Sequence, residues 1–215
     1  MSTNTSLARA PFGLRKPVAA LALAALTLLS ACAPLVLGGA MVGGALSYSD
    51  RRTSGAQLED EAIELKAGSR LRDAIADRAH INVTSYNRSA LITGEVPTAA
   101  DRAAAEQAVT SIENVRGIVN ELVLAGNSSI TARSSDTILT SKVKAGFLDA
   151  KDLQSNAFKV VTERGVVYLM GRVTEREASR AAELARGVGG VSRVVKVFEV
   201  ISEAELAQLQ PPAKK

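Results

Sequence analysis

The chain has 215 residues, 47% of them hydrophobic but only 3% aromatic, with one cysteine, one histidine and a formal charge of +4. A single cysteine excludes an internal disulfide, and cores without Trp must be filled by Val, Ile, Leu and Ala, which suits small modules better than one large domain. Three of the 26 basic residues fall in residues 1–31, which hold no acidic residue, so the rest carries 23 basic against 22 acidic side chains and the high isoelectric point belongs mainly to the leading segment.

At the start, Arg9, Arg15 and Lys16 precede an apolar run from Val18 to Leu29 that ends in Leu29-Ser30-Ala31-Cys32. The run is shorter than the ~20 residues a spanning helix needs. Its basic flank and the small residues before Cys32 predict a signal peptide over 1–31 and a lipoprotein cleavage that leaves Cys32 acylated. Acylation consumes the sole thiol and with it thiolate catalysis or a cysteine metal site. Residues 32–57, Gly-rich and apolar near Cys32, read as a lipidated tether lying on the bilayer surface. The paired glycines are no phosphate loop, because no strand precedes them and no Lys-Ser/Thr follows.

The remainder repeats. Residues 81–96 align with 158–173, each reading strand, turn, strand, glycine, with Asn87-Arg88 and Arg164-Gly165 at the turns. Gly94 and Gly171 occupy matching places, where a side chain would obstruct close packing or a bend. Helices should precede the hairpins, at about 59–76 and 137–148. Others should follow them from Thr98 and from Thr174-Glu175-Arg176-Glu177, a capping-box pattern. Ala100, Ala104 and Ala108 form the expected apolar face of one; Ala178, Ala181, Ala182 and Ala185 form that of the other. Closing strands run over 115–124 and 191–201. The predicted class is α+β: two αββαβ modules, 58–126 and 135–203, each a three-stranded mixed sheet with two helices on one face. A polar linker spans 127–134, and 204–215 form a tail, disordered from Ala207.

In the first module, Ile63, Ala67, Leu71, Ala74 and Ile75 should face the core, with Lys66, Ser69 and Asp73 behind and no apolar ridge. In the second, Leu139, Val143, Gly146 and Phe147 should pack on the sheet. The opposite side presents Thr137, Ile138, Ser141, Ala145 and Leu148 between Lys142 and Lys144. Such a low apolar ridge flanked by lysines suits a headgroup layer, and equally a solvated face beside an interface with the first module. Charge leans the same way: residues 127–215 hold 14 basic and 10 acidic side chains, residues 32–126 hold 9 and 12. His80 reads as a solvated loop residue, too isolated for a triad or a zinc site. Glu175 and Glu177 are explained by capping, and Glu59-Asp60-Glu61 by a helix start. No catalytic residue, metal site or cofactor is predicted, and nucleic acid is excluded by the lack of aromatics among the basic residues and by the compartment.

The doubled αββαβ unit with its glycine behind a lipoprotein box resembles the BON domain family. Ile81-Asn82-Val83-Thr84, Asn120-Glu121, Asp136-Thr137 with Lys142-Val143, and the run from Tyr168 to Ala178 are similar to the dual-BON outer-membrane lipoproteins of that family. The resemblance implies a non-enzymatic lipoprotein facing the periplasm that supports envelope integrity at division sites. It also implies binding of anionic phospholipid, phosphatidylglycerol or cardiolipin, through the second module, and links to outer-membrane assembly machinery or cell-wall amidase activators. A protein adaptor without lipid recognition is the alternative. Ala33 is compatible with outer-membrane delivery. Ile138 stands where better-known relatives carry an aromatic residue, which implies weaker anchoring in lipid.

Overall fold

The structure is a computed structural model and describes residues 50–209. The signal peptide, Cys32 and most of the expected tether lie outside the described residues, as do 210–215. In chain order the first module comprises α1 (Ser54–Ile75), β1 (His80–Tyr86), β2 (Ser89–Val96), α2 (Ala99–Thr110), β3 (Gly117–Asn120) and β4 (Val123–Leu124). The second comprises α3 (Ile130–Asp149), β5 (Lys159–Glu163), β6 (Val166–Val173), α4 (Glu175–Gly187) and β7 (Arg193–Val200), followed by α5 (Glu203–Leu209).

Both modules have the expected αββαβ topology. β2 is central, antiparallel to β1 and parallel to β3 and β4; β6 is central, antiparallel to β5 and parallel to β7. The third strand of the first module is broken where Asn120 Oδ1 accepts from the Leu122 amide at 3.2 Å and Leu122 turns into the core. At both hairpin turns the central residues have positive φ, 49° and 68° at Asn87 and Arg88, 52° and 74° at Arg164 and Gly165. Their twist matches that of the strands, but non-glycine residues there need support. A buried aspartate on the preceding helix supplies it. Asp60 accepts the amides of Asn87 (2.8 Å) and Arg88 (2.7 Å), and Asp136 those of Arg164 and Gly165 (2.8 Å each). Asp60 is therefore a mid-helix clamp rather than part of a helix start.

Several element boundaries differ from the sequence reading. α1 begins at Ser54, capped by Thr53, so residues 50–57 are folded rather than part of a tether. α3 begins at Ile130 rather than Thr137, capped by Ser129, and takes in most of the expected linker. Ser134, Ser135, Thr137 and Ser141 return their hydroxyls to carbonyls four residues back, at 2.9–3.1 Å, so a composition that reads as loop is satisfied within a helix. α2 buries Asp101, Ala105 and Val109, one position round from the expected alanines, because Val109 outweighs Ala in a helix with little apolar contrast. Ala74 is exposed. Residues 207–209 are helical, not disordered, in a helix that buries Leu206 and starts with Ser202 and Glu205 exchanging bonds to each other's amides.

Alternation along the central strands sorts the cores. Ala90, Ile92 and Val96 of β2 meet Ile63, Ala67, Leu71 and Ile75 of α1, and Val167, Leu169 and Val173 of β6 meet Val143 and Phe147 of α3 and the alanines of α4. The intervening residues form a third cluster: Leu91 with Tyr86 from the first module, Tyr168 and Met170 from the second, ringed by Val119, Val161, Val166, Val195 and Val197. The sheets thus face each other, with helices on the two outer sides. Burying each large side chain there contributes about 1.5–3 kcal/mol, so the modules stabilise one another.

Candidate functional site

With the sheets facing each other, the outer side of α3 is left to solvent. Asp136, Leu139, Val143 and Phe147 point inward, while Thr137, Ile138, Ser141, Lys142, Lys144, Ala145 and Leu148 are all exposed, Ile138 at 58% and Leu148 at 71%. These exposures hold with the first module in place, so the ridge is not an inter-module interface. Between Thr137 and Leu148 there is no acidic residue, and both charges are positive. Shallow clefts flank the ridge, each with one aspartate in its wall: one of about 470 Å³ is lined by Asp136, Ile138, Leu139, Lys142 and Arg164, the other, of about 350 Å³, by Asp50, Lys144, Phe147, Leu148 and Phe158. Among the described residues no helix is long and apolar enough to cross a membrane.

The equivalent helix of the first module departs from expectation. Leu58 and Leu65, two turns apart on α1, are 69% and 77% exposed, so an apolar stripe is present there too. It differs in its surroundings, where the acidic Glu61 and Asp73 are exposed alongside Lys66 and Arg72.

Gly94 and Gly171 seat the strand that enters each hairpin. A Cβ on Gly94, whose φ is +118°, would collide with the backbone carbonyl of His80, and one on Gly171 with that of Ala157. At the joint between modules, Arg51 is buried and donates both guanidinium nitrogens to Glu177 at 2.7 Å, and one of them to the Arg172 carbonyl at 2.8 Å. Burial opposes ionisation of Glu177, but the hydrogen bond from Arg51, the Thr174 amide and the Arg51 charge hold its carboxyl below the ordinary range. Glu177 also closes the α4 capping box. On the first module, Arg52 stacks on Tyr86 at 4.3 Å and donates to Asp60.

His80 is not a loop residue. It opens β1, half-buried, with Nδ1 3.2 Å from Oε2 of Glu95 and 3.9 Å from Oε1 of Glu163 in the second module. Burial pushes the Glu163 carboxyl up, and Glu95 and Asp136 add to this, against lowering by the Asn82 hydrogen bond and His80. Sequence reading missed this cluster, whose one signal was Glu95 within an otherwise apolar strand end.

Compared with known proteins, the chain matches the BON domain at residues 59–126 and 135–202. It is 34% identical over 185 residues to the outer membrane lipoprotein DolP of Haemophilus influenzae, covering 85% of this chain and 95% of that protein. It is 33% identical over 154 residues to a 21 kDa hemolysin of Actinobacillus pleuropneumoniae (71% and 79% covered). Over 141 residues it is 29% identical to the osmotically-inducible protein Y of Escherichia coli (64% and 70% covered).

Proposed function

The chain belongs to the BON domain family, with two copies in tandem, and from that premise we propose that it is a non-enzymatic outer-membrane lipoprotein, facing the periplasm, that binds anionic phospholipid through the outer face of α3. Cys32 carries the acyl anchor, and the likeness to an outer membrane lipoprotein over 95% of that protein supports the location. The observation that carries the lipid reading is the solvent-facing ridge of Ile138, Ala145 and Leu148 between Lys142 and Lys144, with no acidic residue among them. Aliphatic side chains enter the headgroup boundary while ammonium groups meet phosphate, each near-surface cation contributing about 1 kcal/mol. The proposed role is support of envelope integrity at division sites.

Flotation of the mature Cys32→Ala chain with vesicles tests this. Binding should require phosphatidylglycerol or cardiolipin, weaken as salt screens the charges, and fall about tenfold or more in Lys142→Glu/Lys144→Glu. Unchanged binding by that double variant would remove the site assignment. A second reading, a protein adaptor for outer-membrane assembly machinery or amidase activators, is favoured by the Leu58–Leu65 stripe of α1, where exposed acidic residues disfavour an anionic bilayer.

A further inference from the structure

We propose that His80, Glu95 and Glu163 form a binding site for a divalent transition metal of the zinc type, which staples the first module to the second. Their ligating atoms all lie within 4.8 Å of one another. A tetrahedral zinc ion with bonds of about 2.0–2.1 Å holds its ligand atoms roughly 3.3–3.4 Å apart. The imidazole Nδ1 already stands 3.2 Å from one carboxylate oxygen and 3.9 Å from the other, approaches that need adjustments of well under 1 Å, and the two carboxylate oxygens, within 4.8 Å of each other, have at most about 1.5 Å to close. One imidazole with two carboxylates suits zinc or a neighbouring transition metal; magnesium and calcium take six or more oxygens.

The surroundings orient the ligands. The Ser128 amide donates to Oε2 of Glu95 at 3.1 Å and Asn82 Nδ2 to Oε2 of Glu163 at 3.0 Å, leaving Oε1 of Glu163 toward the imidazole. Such outer partners fix carboxylate direction in metal centres. A cleft of about 170 Å³ lined by His80, Asn82, Arg133, Asp136, Thr162 and Glu163 opens beside two of the three ligands. The competing cation is Arg164, whose guanidinium lies 3.4 Å from Oε1 of Glu95; its side chain is 47% exposed and can turn to solvent. Two buried carboxylates face each other across the joint with Asp136 close by, and among the described residues the cations paired with them are that half-exposed arginine and His80. β1 and β2 supply two ligands and β5 the third, so an ion bound here cross-links the modules.

The test uses the mature chain stripped with chelator, titrated calorimetrically with ZnCl2 and MgCl2 and followed in thermal unfolding. One zinc ion per chain should bind, magnesium should not, and a 100-fold excess of zinc over Kd should raise Tm by about 5–10 °C. His80→Ala and the near-isosteric Glu163→Gln, checked for folding by circular dichroism, should lose both the binding and the shift. Absence of stoichiometric zinc binding by the unaltered chain overturns the proposal, as does equal binding by a folded His80→Ala variant.

Discussion

Replacing Arg51 by Met isolates the largest electrostatic contact between the modules. The Arg51 and Glu177 side chains are 4% and 5% exposed, joined by two bonds of 2.7 Å, with a third from the arginine to the Arg172 carbonyl at 2.8 Å. Met fills a similar volume but leaves a buried carboxylate that keeps the Thr174 amide at 3.0 Å and the neighbouring hydroxyl at 3.5 Å and loses both guanidinium bonds. Breaking a buried pair on one side costs about 3–5 kcal/mol, a hundred- to several-thousand-fold in the folding equilibrium and roughly 6–20 °C in Tm. Urea unfolding at pH 7, followed by far-UV circular dichroism, measures it. Without Arg51, Glu177 loses the partner that favours its charged form, so its pKa rises and the carboxyl can neutralise on acidification. The gap between variant and parent should therefore narrow from pH 7 to pH 4.5. Arg51→Met/Glu177→Met, which removes both charges, should recover much of the loss. A single-variant cost below about 1 kcal/mol, or a gap that is constant with pH, would refute the reasoning.

Acid should destabilise the chain through Asp60 and Glu177. For Asp60, burial works against ionisation, but bonds from Ser85, the Arg88 amide, Arg52 and the Asn87 amide prevail, so both carboxyls sit below their ordinary values of 3.8 and 4.5. Their contribution is complete above those values and is lost as pH falls through the lower folded-state ones, so Tm should fall steeply only below about pH 4; an equally steep fall between pH 7 and 5 would contradict this. Gly94→Ala, which forces a Cβ into the His80 carbonyl at a φ of +118°, should cost more than about 2 kcal/mol in urea unfolding. Gly146→Ala, whose new methyl in α3 meets nothing within 4 Å beyond its chain neighbours and its own helix backbone, should stabilise by about 0.5–1 kcal/mol. Leu91→Ala in the sheet-to-sheet core should cost about 2–5 kcal/mol, although Leu91 faces away from its own module's helices.

Local chemistry determined much of this protein. Residues 81–96 repeated at 158–173 set out two hairpins, the Thr174–Glu177 pattern set a helix start that the structure closes as a capping box, and the outward ridge of α3 was readable from helical spacing around Lys142 and Lys144. Where composition misled, in the Ser-rich start of α3 and at residues 207–209, helix formation rested on side-chain bonds and on burial of Leu206, which local polarity does not report. What only the tertiary structure decided is the sheet-to-sheet joint. Ala90-Leu91-Ile92 and Val167-Tyr168-Leu169-Met170 are apolar without alternation, a pattern requiring both faces of a strand to be covered, but one module brings helices to only one face. The second cover is the other module, and its approach carries Arg51 to Glu177 and His80 and Glu95 to Glu163, pairs separated by 68 residues or more that no spacing along the chain connects.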